Sequence, residues 1–148
     1  KDNYSALRDK LKKDINQILL VEDDQVDSMT VRRALRDLKD GHGLTVKSNG
    51  EEALAYLREP GTVPPGLILL DINMPRMNGI EFLRIIKQDE RLKKIPVVVL
   101  TTSNDEQDRM HSFNLGVAGY MLKPVIYDNF VEVMKTILLY WNTSQQPD

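Results

Sequence analysis

The strongest constraint on this chain is an alternation. Short, solidly apolar runs stop abruptly at a charged or hydroxyl residue, and each is followed by an amphipathic stretch. Ile18-Leu19-Leu20-Val21 stops at Glu22-Asp23-Asp24. Leu67-Ile68-Leu69-Leu70 stops at Asp71, and Val97-Val98-Val99-Leu100 at Thr101-Thr102-Ser103. Tyr120-Met121-Leu122 stops at Lys123-Pro124, and Leu44–Ser48 is a weaker run of the same kind. Apolar runs this short, bounded by polar residues, read as buried strands. Between them lie helical patterns over 26–39, 51–58, about 80–90, 104–115 and 127–141. In the first, Val26, Met29, Leu35 and Leu38 are expected on one buried face. Leu83 and Ile86 are expected inward in the third. Gly41-His42-Gly43 breaks the first helix, and Gly116 closes the fourth.

Strand–helix alternation with apolar strands predicts an α/β fold: a five-stranded parallel sheet with helices on both faces. The expected organisation is an N-terminal extension at 1–16, one domain at 17–141 and a C-terminal tail at 142–148. A chain of 148 residues can bury the core this needs. With 41% hydrophobic and 28% charged residues it has an ordinary globular composition. A net charge of −2 gives no reason to expect nucleic acid as a partner. No apolar run approaches the roughly 20 residues needed to span a bilayer, and no signal-peptide pattern opens the chain, so no membrane partner is expected. The absence of cysteine excludes disulfides and thiolate chemistry, and suits a cytoplasmic location.

In sheets of this kind ligands gather beyond the C-terminal ends of the strands. There the sequence places Glu22 and Asp23, Asp71, Thr101 and Lys123. Singly, each has an ordinary explanation. An acid after a strand is usually a helix cap, Asp71 before Asn-Met-Pro can start a turn, and a lone lysine is usually at the surface. Their convergence points further. Clustered carboxylates repel, and a hard divalent cation relieves them. Mg²⁺ takes one or two carboxylates with waters and phosphate oxygens. A phosphoryl group on Asp71 would lie between that metal and Lys123, with Thr101 as hydrogen-bond donor.

These residues resemble the receiver domain of two-component response regulators over about 17–140. The likeness rests on Val21-Glu22-Asp23-Asp24, Leu70-Asp71-Ile72-Asn73-Met74-Pro75 with Gly79, Val99-Leu100-Thr101-Thr102 and Tyr120-Met121-Leu122-Lys123-Pro124. Thr101 follows Asp71 by 30 residues and Lys123 follows it by 52, as in that family. The resemblance implies a flavodoxin-like sheet of order 2-1-3-4-5. It implies Asp71 as phosphoacceptor, with Thr101 and Lys123 on the phosphoryl group. The implied metal ligands are Asp23, Asp71, the Asn73 backbone carbonyl and, through water, Glu22. Tyr120 would turn inward when Thr101 moves, and the Lys123–Pro124 bond would be cis. Asn73 and Ser103 would help set the phosphoryl lifetime. Glu22 stands where Asp is more usual, and Thr102, larger than usual there, would narrow the donor's path. Less specifically, the chain resembles the small stand-alone regulators that partner phytochrome kinases.

The implied partners are a histidine kinase, of the phytochrome type on the narrower resemblance, and a downstream protein. The stretch after Lys123 holds one helix, so output is expected through protein contact. Leu138, Leu139, Tyr140 and Trp141 spread apolar groups around that helix. They either pack on the chain's own sheet or form a homodimer interface. His42 and His111 are expected to be solvated. The domain is not expected to be an enzyme beyond promoting its own phosphorylation and dephosphorylation. The main alternative is a receiver-like interaction module that is never phosphorylated, although none of its key residues is lost. A strand-end phosphohydrolase would want an acid at position 73, where Asn73 stands. A nucleotide-binding fold would want a glycine-rich loop at 22–28, which holds no glycine.

Overall fold

Four-residue runs of Ile, Leu and Val cannot leave either face in water, and the chain covers both. The computed structural model describes residues 17–39, 41–74 and 76–143. The extension at 1–16, Pro75 and the tail from 144 lie outside the described residues. The order is β1 (Ile18–Val21), α1 (Gln25–Asp37), β2 (Leu44–Lys47), α2 (Gly50–Arg58), β3 (Leu67–Leu70), α3 (Gly79–Lys87), β4 (Val97–Thr101), α4 (Glu106–Asn114), β5 (Gly119–Leu122) and α5 (Tyr127–Thr143). The five strands form one parallel sheet of order β2-β1-β3-β4-β5, as expected.

Alternate strand residues feed two cores. Leu19, Val21, Ile68, Leu70, Val97 and Val99 pack with α2 and α3 through Leu57, Phe82, Leu83 and Ile86. Ile18, Leu20, Leu67, Leu69, Val98 and Leu100 pack on the other face with α1 and α5 through Val31, Leu35, Phe130 and Met134. Each fully buried side chain of this size contributes about 1.5–3 kcal/mol. β2 is only half buried at the sheet edge, which explains its weaker apolar signal.

The helices start at side-chain caps. Asp24, Asn49, Asn78 and Asp105 each accept from a backbone N–H two or three residues on. Gly116, at φ +87°, closes α4 in a conformation that favours glycine.

Four expectations need correction. On α1, Val26 and Met29 are exposed by 71% and 67%, while Val31, Ala34 and Leu35 are the buried residues. At about 100° per residue, 31, 34 and 35 form one stripe and 26 and 29 point away from it. The peptide before Pro124 is trans, as is every other among the described residues. The trans form is intrinsically favoured by about 0.5–1 kcal/mol even before proline. His42 is half buried rather than solvated, whereas His111 is exposed. The last helix also runs to Thr143, past its expected end.

Candidate functional site

Parallel pairing sets the strand ends side by side. Val21 lies opposite Leu70, so the residues after them, Glu22 and Asp71, emerge together. The ladder continues one step as the Asp71 N–H donates to the Val21 carbonyl at 3.0 Å. On the far side Thr101 pairs with Leu122, and the Lys123 N–H donates to the Thr101 carbonyl at 2.8 Å. Below the loop after β3, α3 starts in close contact with it. A Cβ at Gly79 would stand 2.4 Å from the Ile72 Cα and 2.8 Å from the Asp71 carbonyl oxygen, so only glycine lets the helix approach.

The Asp71 carboxylate is the centre of the rim and is buried. Its Oδ1 accepts from the Thr101 hydroxyl at 3.0 Å and from the Asn73 N–H at 3.0 Å. Its Oδ2 faces the Lys123 Nζ at 3.5 Å. Lys123 also donates to Glu22 Oε1 in a short contact, and to Asp27 Oδ2 at 3.0 Å. The other Glu22 oxygen accepts from the Asp24 N–H at 3.2 Å. Asp23 is exposed beside this group. One carboxylate oxygen each from Glu22, Asp23 and Asp71 lies within 4.8 Å of the others.

The structure therefore brings together Glu22, Asp23, Asp71, Thr101 and Lys123. Asn73 joins through its N–H. Tyr120 is linked less directly. Its half-buried ring lies 6.4 Å from that of Phe113, and its hydroxyl donates to the Ser103 carbonyl at 3.0 Å. Ser103 donates its own N–H to the Thr101 hydroxyl oxygen at 3.2 Å and its hydroxyl to Asp108 at 2.7 Å. Thr102 is exposed and lines a hollow of about 310 Å³ with Asp27, Lys123 and Val125. Two members were missed by reading strand ends. Asp27 lies one turn into α1, and its signal was its offset of three from the Asp24 cap, which turns a side chain back toward the helix start. Asp108 was hidden in the same way on α4.

Burial dominates the electrostatics. It lifts the Glu22 carboxyl from an ordinary 4.5 to about 8, with the Asp71 charge adding to the rise and the Lys123 hydrogen bond opposing it. Burial alone would lower Lys123. The Glu22 hydrogen bond and the Asp71 and Glu22 charges more than offset it, so the ammonium is held above its usual range. Two like charges 4.8 Å apart repel by about 3.5 kcal/mol at an effective dielectric near 20. One ammonium facing Glu22, Asp27 and Asp71, with Asp23 beside them, leaves negative charge that a further cation would balance. The donors are all carboxylate oxygens, with no sulfur or imidazole among them, and that chemistry fits a hard divalent ion.

Known proteins resemble this chain in sequence and fold. Residues 18–135 match the response regulator receiver domain family. The chain is 40% identical over 128 residues to the response regulator Rcp1 of Synechocystis sp., covering 84% of this chain and 87% of that protein. The fold superposes on the crystal structure of the phosphorylated cyanobacterial phytochrome response regulator RcpA with a TM-score of 0.84 and 38% identity, covering 90% of this chain and 99% of that one. On the Mn²⁺-bound form of Rcp1 the TM-score is 0.81, again at 38% identity, with coverage of 90% and 99%. The sequence match, the strand order and the acidic rim agree, and the chain belongs to the receiver-domain response regulators of two-component signalling.

Proposed function

We propose that this chain is a phosphoacceptor switch: Asp71 takes a phosphoryl group from a histidine kinase, with Mg²⁺ at the acidic rim, and a protein-binding face changes in response. One observation carries the reading. The Asp71 carboxylate is anchored at Oδ1 by two donors, while Oδ2, whose lysine contact is a longer 3.5 Å, is the less engaged oxygen and the better placed nucleophile. Two similar structures, RcpA in a phosphorylated form and Rcp1 in an Mn²⁺-bound form, support it.

In the proposed reaction an Asp71 oxygen attacks phosphorus, the bond from phosphorus to the donor breaks, and the leaving group takes up a proton. Asp71 then carries an acyl phosphate. Glu22, Asp23, Asp71 and the Asn73 carbonyl would hold Mg²⁺, which supplies charge neutralisation for the phosphoryl oxygens. Lys123, kept as an ammonium by its neighbours, faces the incoming oxygens from the other side. Thr101 has a hydroxyl that can leave Asp71 Oδ1 and donate to the phosphoryl group. Attack of water on phosphorus would later release phosphate and restore the carboxylate.

The kinase partner is proposed to be of the phytochrome type, on the likeness to RcpA and Rcp1. Output would run through α4, β5 and α5, where Met110, Phe113, Leu139 and Tyr140 are exposed apolar residues that a downstream protein or a second copy would cover.

The test is intact mass after incubation with a small-molecule phosphodonor, with and without Mg²⁺, for the parent and Asp71→Asn. One added phosphoryl group is expected, dependent on Mg²⁺ and absent from Asp71→Asn. No adduct on the parent would leave a phosphorylation-independent interaction module.

A further inference from the structure

Lys123 is shared among three carboxylates, and one of them comes from outside the strand ends. Asp27 Oδ2 lies 3.0 Å from Nζ, closer than Asp71 Oδ2 at 3.5 Å. An ammonium has three donors, and Glu22, Asp27 and Asp71 between them engage all three. Bonding of Oδ2 to phosphorus gives up its own contact, and Glu22 and Asp27 remain to compete with the phosphoryl oxygens for Lys123. The side chains of Glu22 and Asp71 are 1% and 10% exposed, whereas that of Asp27 is 42% exposed. Water can replace the lysine at Asp27 far more readily than at a buried carboxylate, so the Asp27 contact is the one that yields.

We infer that Asp27 is a positioning residue that competes with the phosphoryl group for Lys123, and thereby sets how readily Asp71 is phosphorylated and how long the phosphoryl group lasts. This rests on the phosphoacceptor reading of Asp71. The direction follows from charge. Asp27 draws the ammonium toward α1 and adds a negative charge beside the path of an anionic donor. Removing that charge frees Lys123 for the phosphoryl oxygens and lowers the repulsion an entering donor meets. Glutamate at the same position keeps the competitor.

The experiment uses the full chain as parent, Asp27→Asn, Asp27→Glu and Asp71→Asn. Acetyl phosphate is titrated in the presence of Mg²⁺, and the phosphorylated fraction is read by intact mass. The lifetime is then read after donor removal, with thermal melting as a check on folding. Asp27→Asn is expected to lower the half-saturating donor concentration and lengthen the lifetime, each by about two- to fivefold, the range of one partly exposed charge pair. Asp27→Glu is expected to stay near the parent. If the parent is phosphorylated while Asp27→Asn keeps its half-saturation and lifetime, or if Asn and Glu shift both alike, the inference is overturned and the phosphoacceptor reading stands. If the parent gains no phosphoryl group, the reading itself fails and takes the inference with it.

Discussion

At the scale of single residues, Glu22 has the clearest consequence. Its carboxyl holds a proton more tightly in the folded chain, at about 8, than at its ordinary 4.5. A raised folded value means that the protonated folded state is favoured. That stabilisation is complete below about pH 4.5 and is lost as pH rises through about 8. In metal-free buffer the melting temperature of the parent should therefore fall, relative to Glu22→Gln, as pH is raised from 5 to 8. Glu22→Gln cannot titrate and should lack this component. A parent and variant whose melting curves stay parallel across the range would show that Glu22 is already ionised. The residues of this rim were unequally legible in the sequence. Glu22, Asp71, Thr101 and Lys123 each end a strand of a parallel sheet, and topology alone carries them to one edge. Asp27 and Asp108 sit within helices, where the direction of a side chain depends on where the helix begins.

At the scale of elements, the strands were readable and the first helix face was not. Burial on both sides leaves a strand no polar residue, so its limits are marked by composition. A helix face is marked only by phase. On α1 the large residues Val26 and Met29 drew attention away from Val31 and Ala34, which make the actual contact. Val26 is thereby left exposed on the helix that carries Asp27, and it lines the hollow beside Lys123. Val125, wholly exposed, and Ile126 lie just after Lys123 on the facing loop. Exposed apolar residues flanking a reaction site suit a docking protein better than solvent. Val26→Ser combined with Val125→Ser should leave the fold and phosphorylation by acetyl phosphate nearly unchanged, since both residues are exposed and neither substitution adds charge beside Lys123. Phosphotransfer from a phosphorylated histidine kinase should slow by roughly tenfold or more, the effect of losing a central apolar contact. Equal rates with the kinase would place the docking surface elsewhere.

Across the whole molecule, the question is how the proposed phosphoryl charge at one rim would reach the proposed output face of α4, β5 and α5. The sheet is a poor candidate for movement, because β3 and β4 are buried on both sides and locked between two cores. α4 is held more loosely. Ser112 is its one buried residue, and Met110 and Phe113 face outward. A chain of hydrogen bonds joins it to the site. Asp71 Oδ1 accepts from Thr101, the Thr101 hydroxyl oxygen accepts from the Ser103 N–H, and Ser103 holds both Asp108 on α4 and the Tyr120 hydroxyl on β5. A phosphoryl group that draws the Thr101 hydroxyl away would pull on Ser103, and through it on both elements. Thr101→Ala removes the first link and leaves Asp71, Lys123 and the acids in place. That variant should still gain a phosphoryl group by mass. Hydrogen exchange over residues 104–122 should change on phosphorylation of the parent and change by less than half as much in Thr101→Ala. An undiminished response in the variant would mean that the signal leaves the rim by another path, with Lys123 and the loop after β5 the next segment to test.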